Sequence, residues 1–181
     1  MSNNDFTGAI PADIFRLPSL SSFAAASNCF RLDATEAGGG LSSLQVCSAV
    51  NLTALILDGL SSSKSCQELI FPLSKALNTY TAKYQVQSSI PPCLFSLPKI
   101  QTIHLSGNGL TGSLTHIAAL SSSLRDCSLS YNRLVGPIPE VFQLHGWSNL
   151  DLSYNKLTGK RDSCVINIIL IFFKFSIIFA F

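Results

Sequence analysis

One ten-residue phrase occurs three times in the second half of the chain, and this repetition constrains the fold more than any other sequence feature. The copies begin at Ile103, Cys127 and Leu150 and share the form x-x-Leu-Ser-x-Asn-x-Leu-x-Gly. The asparagines of the three copies lie 24 and 23 residues apart, at Asn108, Asn132 and Asn155. A phrase that returns with this period is typical of a solenoid, in which each repeat forms one coil that stacks on the last. The pattern therefore predicts an extended binding surface rather than a catalytic centre.

Each repeat begins with an apolar residue that opens a short predicted strand. Side chains alternate along a strand, so Leu150 and Leu152 are expected to point inward and Asp151 outward. The repeat asparagine follows the strand, where its amide can bond backbone groups of the turn and of the next coil that would otherwise be buried without partners. The predicted starts are separated by 32, 25, 23, 24 and 23 residues and fall at Leu20, Leu52, Leu77, Ile100, Leu124 and Trp147.

The second half of three repeats contains an Ile-Pro pair, at 10–11, 90–91 and 138–139. Proline fixes φ and has no N–H, so we expect an extended segment there that does not contribute to a strand ladder. A glycine precedes the pair in two of the repeats, where it permits a turn that other residues resist. A short helical turn is predicted next, and its apolar residues should line the convex side of the core: Phe15, Phe95 and Phe142, with Leu17, Leu97 and Leu144 behind them.

The combined pattern L-x-x-L-x-L-S-x-N-x-L-x-G-x-I-P resembles the plant-type leucine-rich repeat. The resemblance extends over residues 1–159, is specific over 91–159 and is weak over 31–83. It implies an α/β fold, a right-handed solenoid shaped as a horseshoe, with a parallel β-sheet on the concave face and short helical turns on the convex face. We therefore assign residues 1–160 to one solenoid domain. Because the chain begins in mid-repeat, it is expected to be a fragment of a longer protein.

Proteins with this repeat are mostly extracellular parts of receptor-like proteins and receptor-like kinases, or secreted inhibitors and defence proteins. Their concave faces bind peptides, proteins, glycans or small hormones. The resemblance thus implies a non-catalytic module that binds a protein, peptide or glycan within a membrane-associated receptor-like protein, with a co-receptor as a further expected partner. Two alternatives stay open: a structural or scaffold protein tail-anchored on the cytosolic side, and the ligand-binding part of a receptor kinase that lacks its kinase domain.

The outward-facing strand positions are the candidate ligand contacts. Strands of a sheet lie about 4.7–4.9 Å apart, so polar residues at equivalent positions of successive repeats would form one continuous surface. A pair of tyrosines is expected at its edge, and tyrosine is enriched in interfaces. The alternative for each position is a solvated strand residue without a ligand. The candidates are His104, Ser106, Arg125, Asp126, Ser128, Tyr131, Asp151, Ser153 and Tyr154.

The first part of the chain departs from the repeat pattern. A glycine-rich loop over 31–41, with three consecutive glycines at 38–40, lengthens the first step. Three glycines favour no single backbone shape, so this loop is either a ligand contact or a tolerated insertion. Cys29 and Cys47 flank the loop, and a disulfide between them is predicted. Further along, Leu60 and Gln85 stand where the repeat asparagine belongs.

Composition and motifs argue against several other functions. The formal net charge is +2, so no basic field favours nucleic-acid binding. Neither G-x-S-x-G, nor a P-loop, nor H-E-x-x-H is present, so neither enzymatic activity nor a cofactor is expected. The six cysteines contain no C-x-x-C pair and the three histidines are scattered, so no metal site is expected. Cys127 takes a leucine position and is predicted to be a small buried hydrophobe.

The apolar tail over 165–181 is a candidate membrane anchor, since spanning a bilayer takes about 17–25 apolar residues. This interpretation places the repeats outside the cell. Lys160 and Arg161 precede the tail, however, and the positive-inside tendency would then place the repeats in the cytosol. A third interpretation is that the tail is not genuine coding sequence. A glycosylation sequon begins at Asn51, with an ordinary polar turn residue as the alternative.

Overall fold

The computed structural model describes residues 1–31, 45–60 and 89–159. The part of the Leu77 repeat before residue 89, the apolar tail and all but the first residue of the glycine-rich loop lie outside these residues. The helical turns cover Ala12–Arg16, Val46–Ser48, Pro92–Ser96 and Leu114–His116, all 3-10, and Glu140–Gln143, which is α-helical. The strands are β1 (Thr7–Ala9), β2 (Ser22–Ala24), β3 (Cys29–Arg31), β4 (Ala54–Ile56), β5 (Thr102–His104), β6 (Asp126–Ser128), β7 (Val135–Pro137), β8 (Asn149–Asp151) and β9 (Lys156–Thr158).

The main sheet contains five parallel strands in the order β2-β4-β5-β6-β8. The middle residue of every strand is buried and lies in register with its neighbours: Phe23, Leu55, Ile103, Cys127 and Leu150. A single apolar core therefore runs behind the whole sheet. The predicted solenoid with a parallel sheet is confirmed, because each coil covers the apolar side of the preceding one.

The main sheet pairs β4 directly with β5, and Leu55 lies opposite Ile103. Asn108 reinforces this junction, since its amide nitrogen donates to the Leu57 carbonyl at 2.7 Å. The strand predicted for the repeat that begins at Leu77 lies outside the described residues.

A second ladder, absent from the predictions, runs along one side of the solenoid. β1 pairs in parallel with β3, and β7 pairs with β9. Single bridges join Ser89 to Thr111 and Ser113 to Val135. This ladder uses the residues ahead of each Ile-Pro pair, which still supply N–H and carbonyl groups, and β1 and β7 end before the pair itself. At Gly136, φ is +83° and an added Cβ would lie 3.0 Å from Ser113 Oγ, so glycine lets the two segments approach.

The helical turns form the convex side, as the sequence predicts. Phe15, Phe95 and Phe142 are all buried, and the rings of Phe95 and Phe142 meet edge to face at 5.5 Å. Leu97 is buried behind them, but Leu17 is 55% and Leu144 69% exposed. The prediction that all three leucines line the core was therefore wrong for two. Leu17 and Leu144 lie on the first and last described convex turns, where only one neighbouring turn can cover them.

The asparagines 108, 132 and 155 tie each coil to the preceding one. Asn132 is the most fully bonded: its Oδ1 accepts from the backbone N–H of Asn108 at 3.1 Å and of Leu110 at 2.9 Å. Its Nδ2 donates to the carbonyls of Leu105 and Leu129, both at 2.9 Å. Asn28 has the same role in the first coils, although it was not singled out from the sequence. Its distance from Leu20 equals that from Ile100 to Asn108, which is the signal that identifies it.

The disulfide prediction gave the wrong pairing. Cys47 is bonded to Cys93, with their Cα atoms 5.6 Å apart, and not to Cys29. Cys29 is also disulfide-bonded. Cys47 and Cys93 lie on the helical turns Val46–Ser48 and Pro92–Ser96, which stack on the convex side, whereas Cys29 belongs to the lateral ladder. The bridge therefore joins two coils rather than closing the glycine-rich loop. Cys127 is a free, buried thiol, as predicted, and its burial raises its pKa far above the ordinary value.

Candidate ligand-binding face

Three rows of side chains cover the concave side of the main sheet. They point away from the core, because the residues between them are buried. Apolar residues occupy much of the β2 and β4 end, and polar residues predominate from β5 onward. The first row is Ser22, Ala54, Thr102, Asp126 and Asn149, and the second is Ala24, Ile56, His104, Ser128 and Asp151. The third row, two residues further along each coil, is Ala26, Asp58, Ser106, Ser130 and Ser153.

His104 lies between two carboxylates from neighbouring coils. Its Nε2 is 3.0 Å from Asp126 Oδ2, and its Nδ1 is 3.7 Å from Asp58 Oδ2. The short Nε2 contact has no hydrogen-bond alignment, so Nε2 is a buried nitrogen without a bonded partner among the described residues. We treat the pair as an electrostatic contact rather than a hydrogen bond. Asp126 is also held from the other side, where Asn149 Nδ2 donates to its Oδ1 at 2.8 Å.

The serines of the face bond mainly to one another and to the backbone. The hydroxyls of Ser106 and Ser128 lie 2.7 Å apart, and Ser130 donates to Ser106 at 3.2 Å. Ser153 donates both its backbone N–H and its hydroxyl to Asp151 Oδ1, at 3.0 and 2.7 Å. Because Ser153 is only 6% exposed, it supports Asp151 and is poorly placed to touch a ligand itself. Contact of Ser153 with a ligand stays a prediction.

Two further residues define the composition of the face. Arg125 precedes β6, is exposed, and donates from Nη1 to the carbonyl of Leu124 at 3.1 Å. It lies beside the first row and leaves most of its donors free for solvent or a ligand. Asp58 is not among the predicted contacts, because its repeat lacks the asparagine. Its Oδ1 accepts from the Ser106 backbone N–H at 2.6 Å. An alignment of Leu57-Asp58 with Leu105-Ser106 assigns Asp58 to the same position of the repeat as Ser106.

Tyr131 and Tyr154 form the edge pair that the sequence predicts. Their rings stack with centroids 4.2 Å apart and planes 13° apart, and they are 59% and 42% exposed. Both lie in the turn that follows the strand, with φ of +53° and +52°. A hydroxyl contact with Tyr154 raises the pKa of Tyr131, and desolvation and the Asp151 charge act in the same direction.

The turn itself demands this backbone shape in every coil. Equivalent positions in the other coils also have positive φ, and small or flexible residues occupy them: Asn3, Ser27, Gly59 and Gly107. A bulky residue in the left-handed region is an outlier, and strain of this kind tends to be retained at functional sites. The fold therefore requires the turn but does not require a tyrosine in it.

The predicted sequon residue Asn51 has both polar groups of its side chain in use. Its Nδ2 donates to the Pro18 carbonyl at 2.8 Å, and its Oδ1 accepts from Lys99 Nζ at 2.8 Å. The hydroxyl of Thr53, the third sequon residue, donates to the Ser21 carbonyl at 2.7 Å. A glycan would replace one N–H of the Asn51 amide. Glycosylation of Asn51 stays a prediction, and it would compete with contacts to two neighbouring coils.

Within residues 1–31, 45–60 and 89–159, no group of three or more His, Cys, Asp or Glu side chains is arranged to hold a metal ion. Nor does any helix there have the length and apolar character needed to cross a bilayer. The predicted membrane anchor over 165–181 lies outside these residues.

Comparison with known proteins agrees with the geometry. The family model described as Leucine Rich Repeat matches residues 123–144, which span β6, β7 and the helical turn that follows. In solved structures, the ectodomain of the Arabidopsis thaliana receptor kinase GASSHO1/SCHENGEN3, in complex with CASPARIAN STRIP INTEGRITY FACTOR 2, is 25% identical with a TM-score of 0.62 over 91% of this chain. The chain has the fold of a leucine-rich repeat solenoid. A second solenoid of this class, the Arabidopsis receptor kinase HAESA ectodomain in complex with an N-terminally extended IDA peptide hormone, is 26% identical with a TM-score of 0.58 over 88% of the chain.

Among curated proteins, receptor-like protein 35 of Arabidopsis thaliana is 28% identical over 169 residues, or 92% of the chain. This leucine-rich repeat chain spans only 15% of that relative, and 16% and 22% of the two solved ectodomains. The similarity therefore covers a few coils of much longer proteins.

Proposed function

We propose that this solenoid is part of the ligand-recognising ectodomain of a plant receptor-like protein, and that its concave face binds a peptide without catalysing a reaction. The main support for this proposal is the polar concave face of the five-stranded sheet. The fold is shared with an ectodomain whose structure was solved in complex with a peptide hormone. The peptide assignment is favoured over a glycan because that solved relative holds a peptide. The glycan and co-receptor expectations rest on the family resemblance alone.

The dimensions of the face suit an extended peptide. Five parallel strands about 4.8 Å apart give a width of about 19 Å, which an extended segment of about six residues would cross. Half-buried polar groups such as Thr102, Asp126 and Ser128 lie along this path and can bond to peptide backbone groups. The apolar end near Ala24 and Ile56 offers a place for a non-polar side chain. A ligand that crosses the strands would therefore meet an apolar environment at one end and a polar one at the other.

An extracellular location for the repeats is part of this proposal. Disulfides persist in oxidising compartments and are rare in the cytosol. The bridge between Cys47 and Cys93 thus favours the extracellular orientation over the cytosolic tail-anchored alternative. Membrane attachment through residues 165–181 is the accompanying prediction, and protease protection of the repeats in sealed vesicles would test the orientation.

The test of the concave face uses displayed random peptides selected on the immobilised full-length chain. Thr102→Arg places a long cation at the centre of the first row, where the threonine hydroxyl makes no hydrogen bond to a described residue. Ser96→Arg is the matched control, since Ser96 is exposed on the convex helical turn. We expect Thr102→Arg to weaken binding of the selected peptides about tenfold, or about 1.4 kcal/mol, and Ser96→Arg to leave it unchanged. Failure to select any peptide, or equal effects of the two substitutions, would contradict the proposal.

A further inference from the structure

A cationic and aromatic patch lies beside the concave face, on the turns that follow β6 and β8. It consists of Tyr131, Arg133, Val135, Tyr154 and Lys156, and we name it the lateral strip. Exposure alternates along its first segment, because the residues between Tyr131, Arg133 and Val135 are buried. Tyr154 and Lys156 repeat the pattern on the next coil, where Lys156 pairs in register with Val135. The five side chains therefore share one outward surface that spans two coils.

The lateral strip ends abruptly at the preceding coil. The positions equivalent to Tyr131, Arg133 and Val135 are Gly107, Gly109 and Thr111 there, so bulky side chains give way to almost none. The stacked tyrosine rings consequently border a step in the surface. Since both tyrosines occupy a turn position that suits glycine or asparagine, the fold alone does not account for them.

The two cations of the lateral strip have no acidic partner in their surroundings. Arg133 and Lys156 are both exposed, and neither forms an ion pair within residues 1–31, 45–60 and 89–159. The carboxylates of Asp126 and Asp151 bond to other groups: Asp126 contacts His104 and Asn149, and Asp151 accepts from Ser153. Arg133 and Lys156 can therefore pair with carboxylates of a ligand, beside two aromatic rings.

We propose that the lateral strip binds an acidic segment of a peptide ligand, with carboxylate side chains on Arg133 and Lys156. The neighbouring part of the segment packs on the rings of Tyr131 and Tyr154, at the step above Gly107. Guanidinium and ammonium groups form short charge-assisted hydrogen bonds with carboxylates, and tyrosine offers contact area at a small entropic cost. This inference rests on the proposed function, since it assigns a charge preference to a peptide that also contacts the concave face.

The test compares three forms of the full-length chain in selections from a library of random displayed peptides. The first is wild type, and the second carries Arg133→Gln and Lys156→Gln. The third is a charge-matched control with Arg16→Gln and Lys99→Gln, which removes two exposed cations on the other side of the molecule. We expect wild type and control to select peptides enriched in Asp and Glu, and the lateral-strip variant to lose that enrichment. A selected acidic peptide should bind wild type about tenfold more tightly than its Asn/Gln counterpart, with the difference shrinking as salt rises.

The outcomes separate the two proposals. Peptides without acidic bias, selected equally by wild type and the lateral-strip variant and weakened by Thr102→Arg, would overturn the lateral strip and leave the proposed function standing. Equal loss of the acidic enrichment in the control would also overturn the lateral strip, because the net charge of the protein, rather than Arg133 and Lys156, would then explain the enrichment. Recovery of no peptide at all would overturn the proposed function and, with it, this inference. A matching unfolding midpoint for the three forms establishes that each is folded.

Discussion

Truncation of Asn132 is expected to be among the most damaging single changes in the solenoid. The Oδ1 atom accepts two buried backbone N–H groups, from Asn108 and Leu110, and Asn132→Ala leaves both without a partner. Each orphaned group costs about 1–3 kcal/mol, so the loss should be about 2–6 kcal/mol. The Nδ2 bonds to the carbonyls of Leu105 and Leu129 are lost as well. A domain of this size has only about 5–15 kcal/mol of stability, so the variant should lose a large fraction of it and unfold at a clearly lower urea concentration.

Urea unfolding followed by far-ultraviolet circular dichroism measures this loss. Asn149→Ala is the matched control, because Asn149 is exposed and its amide makes one side-chain bond, to Asp126. The control should lose less than about 1 kcal/mol, as exposed substitutions usually do. Similar losses in the two variants, or a loss for Asn132→Ala below that of the control, would refute the assignment of the asparagines as the bonds between coils.

Three further outcomes are expected. Cys93→Ser removes the bridge between two convex turns and should lower the free energy of unfolding by about 4 kcal/mol in the chain-entropy model, measured by thermal unfolding against wild type. Gly136→Ala should destabilise more than Gly109→Ala in urea titrations, because both have positive φ but only Gly136 would bring its Cβ against a neighbouring side chain. Tyr154→Phe should return the raised pKa of Tyr131 toward its ordinary value in ultraviolet difference titration. Since the folded state holds that proton more tightly, its contribution to stability is present at lower pH and is lost as pH rises through the raised pKa.

The sequence predicts the repeat geometry well where local chemistry is complete. In all three copies of x-x-Leu-Ser-x-Asn, the strand, the buried leucine and the asparagine bonds are found. The direct pairing of β4 with β5 could not be read from the sequence, because leucine spacing alone also predicts a repeat at Leu77, between these two strands. Periodicity indicates which residues can be buried, whereas the coil-to-coil bonds decide which coils are neighbours.

Three features of the candidate site could not be predicted from the periodic pattern either. Outward positions such as His104 and Asp126 follow from strand alternation, but their mutual contact depends on the register between coils. Ser153 has the same alternation and is nevertheless buried, because Asp151 folds back to accept its hydroxyl. The left-handed backbone at the two tyrosines was also out of reach, since their residue type argues against that conformation.

The covalent link from Cys47 to Cys93 has a mechanical consequence for a solenoid whose ends are pulled. Tension along the main chain would pass through the two sulfur atoms and bypass the residues between them, a sequence separation of 46. A fully stretched segment of that length measures about 150–165 Å, and this length stays unavailable to extension while the link is intact. Stretching would unravel coils on either side, and reducing conditions would release the enclosed length as a separate, later event.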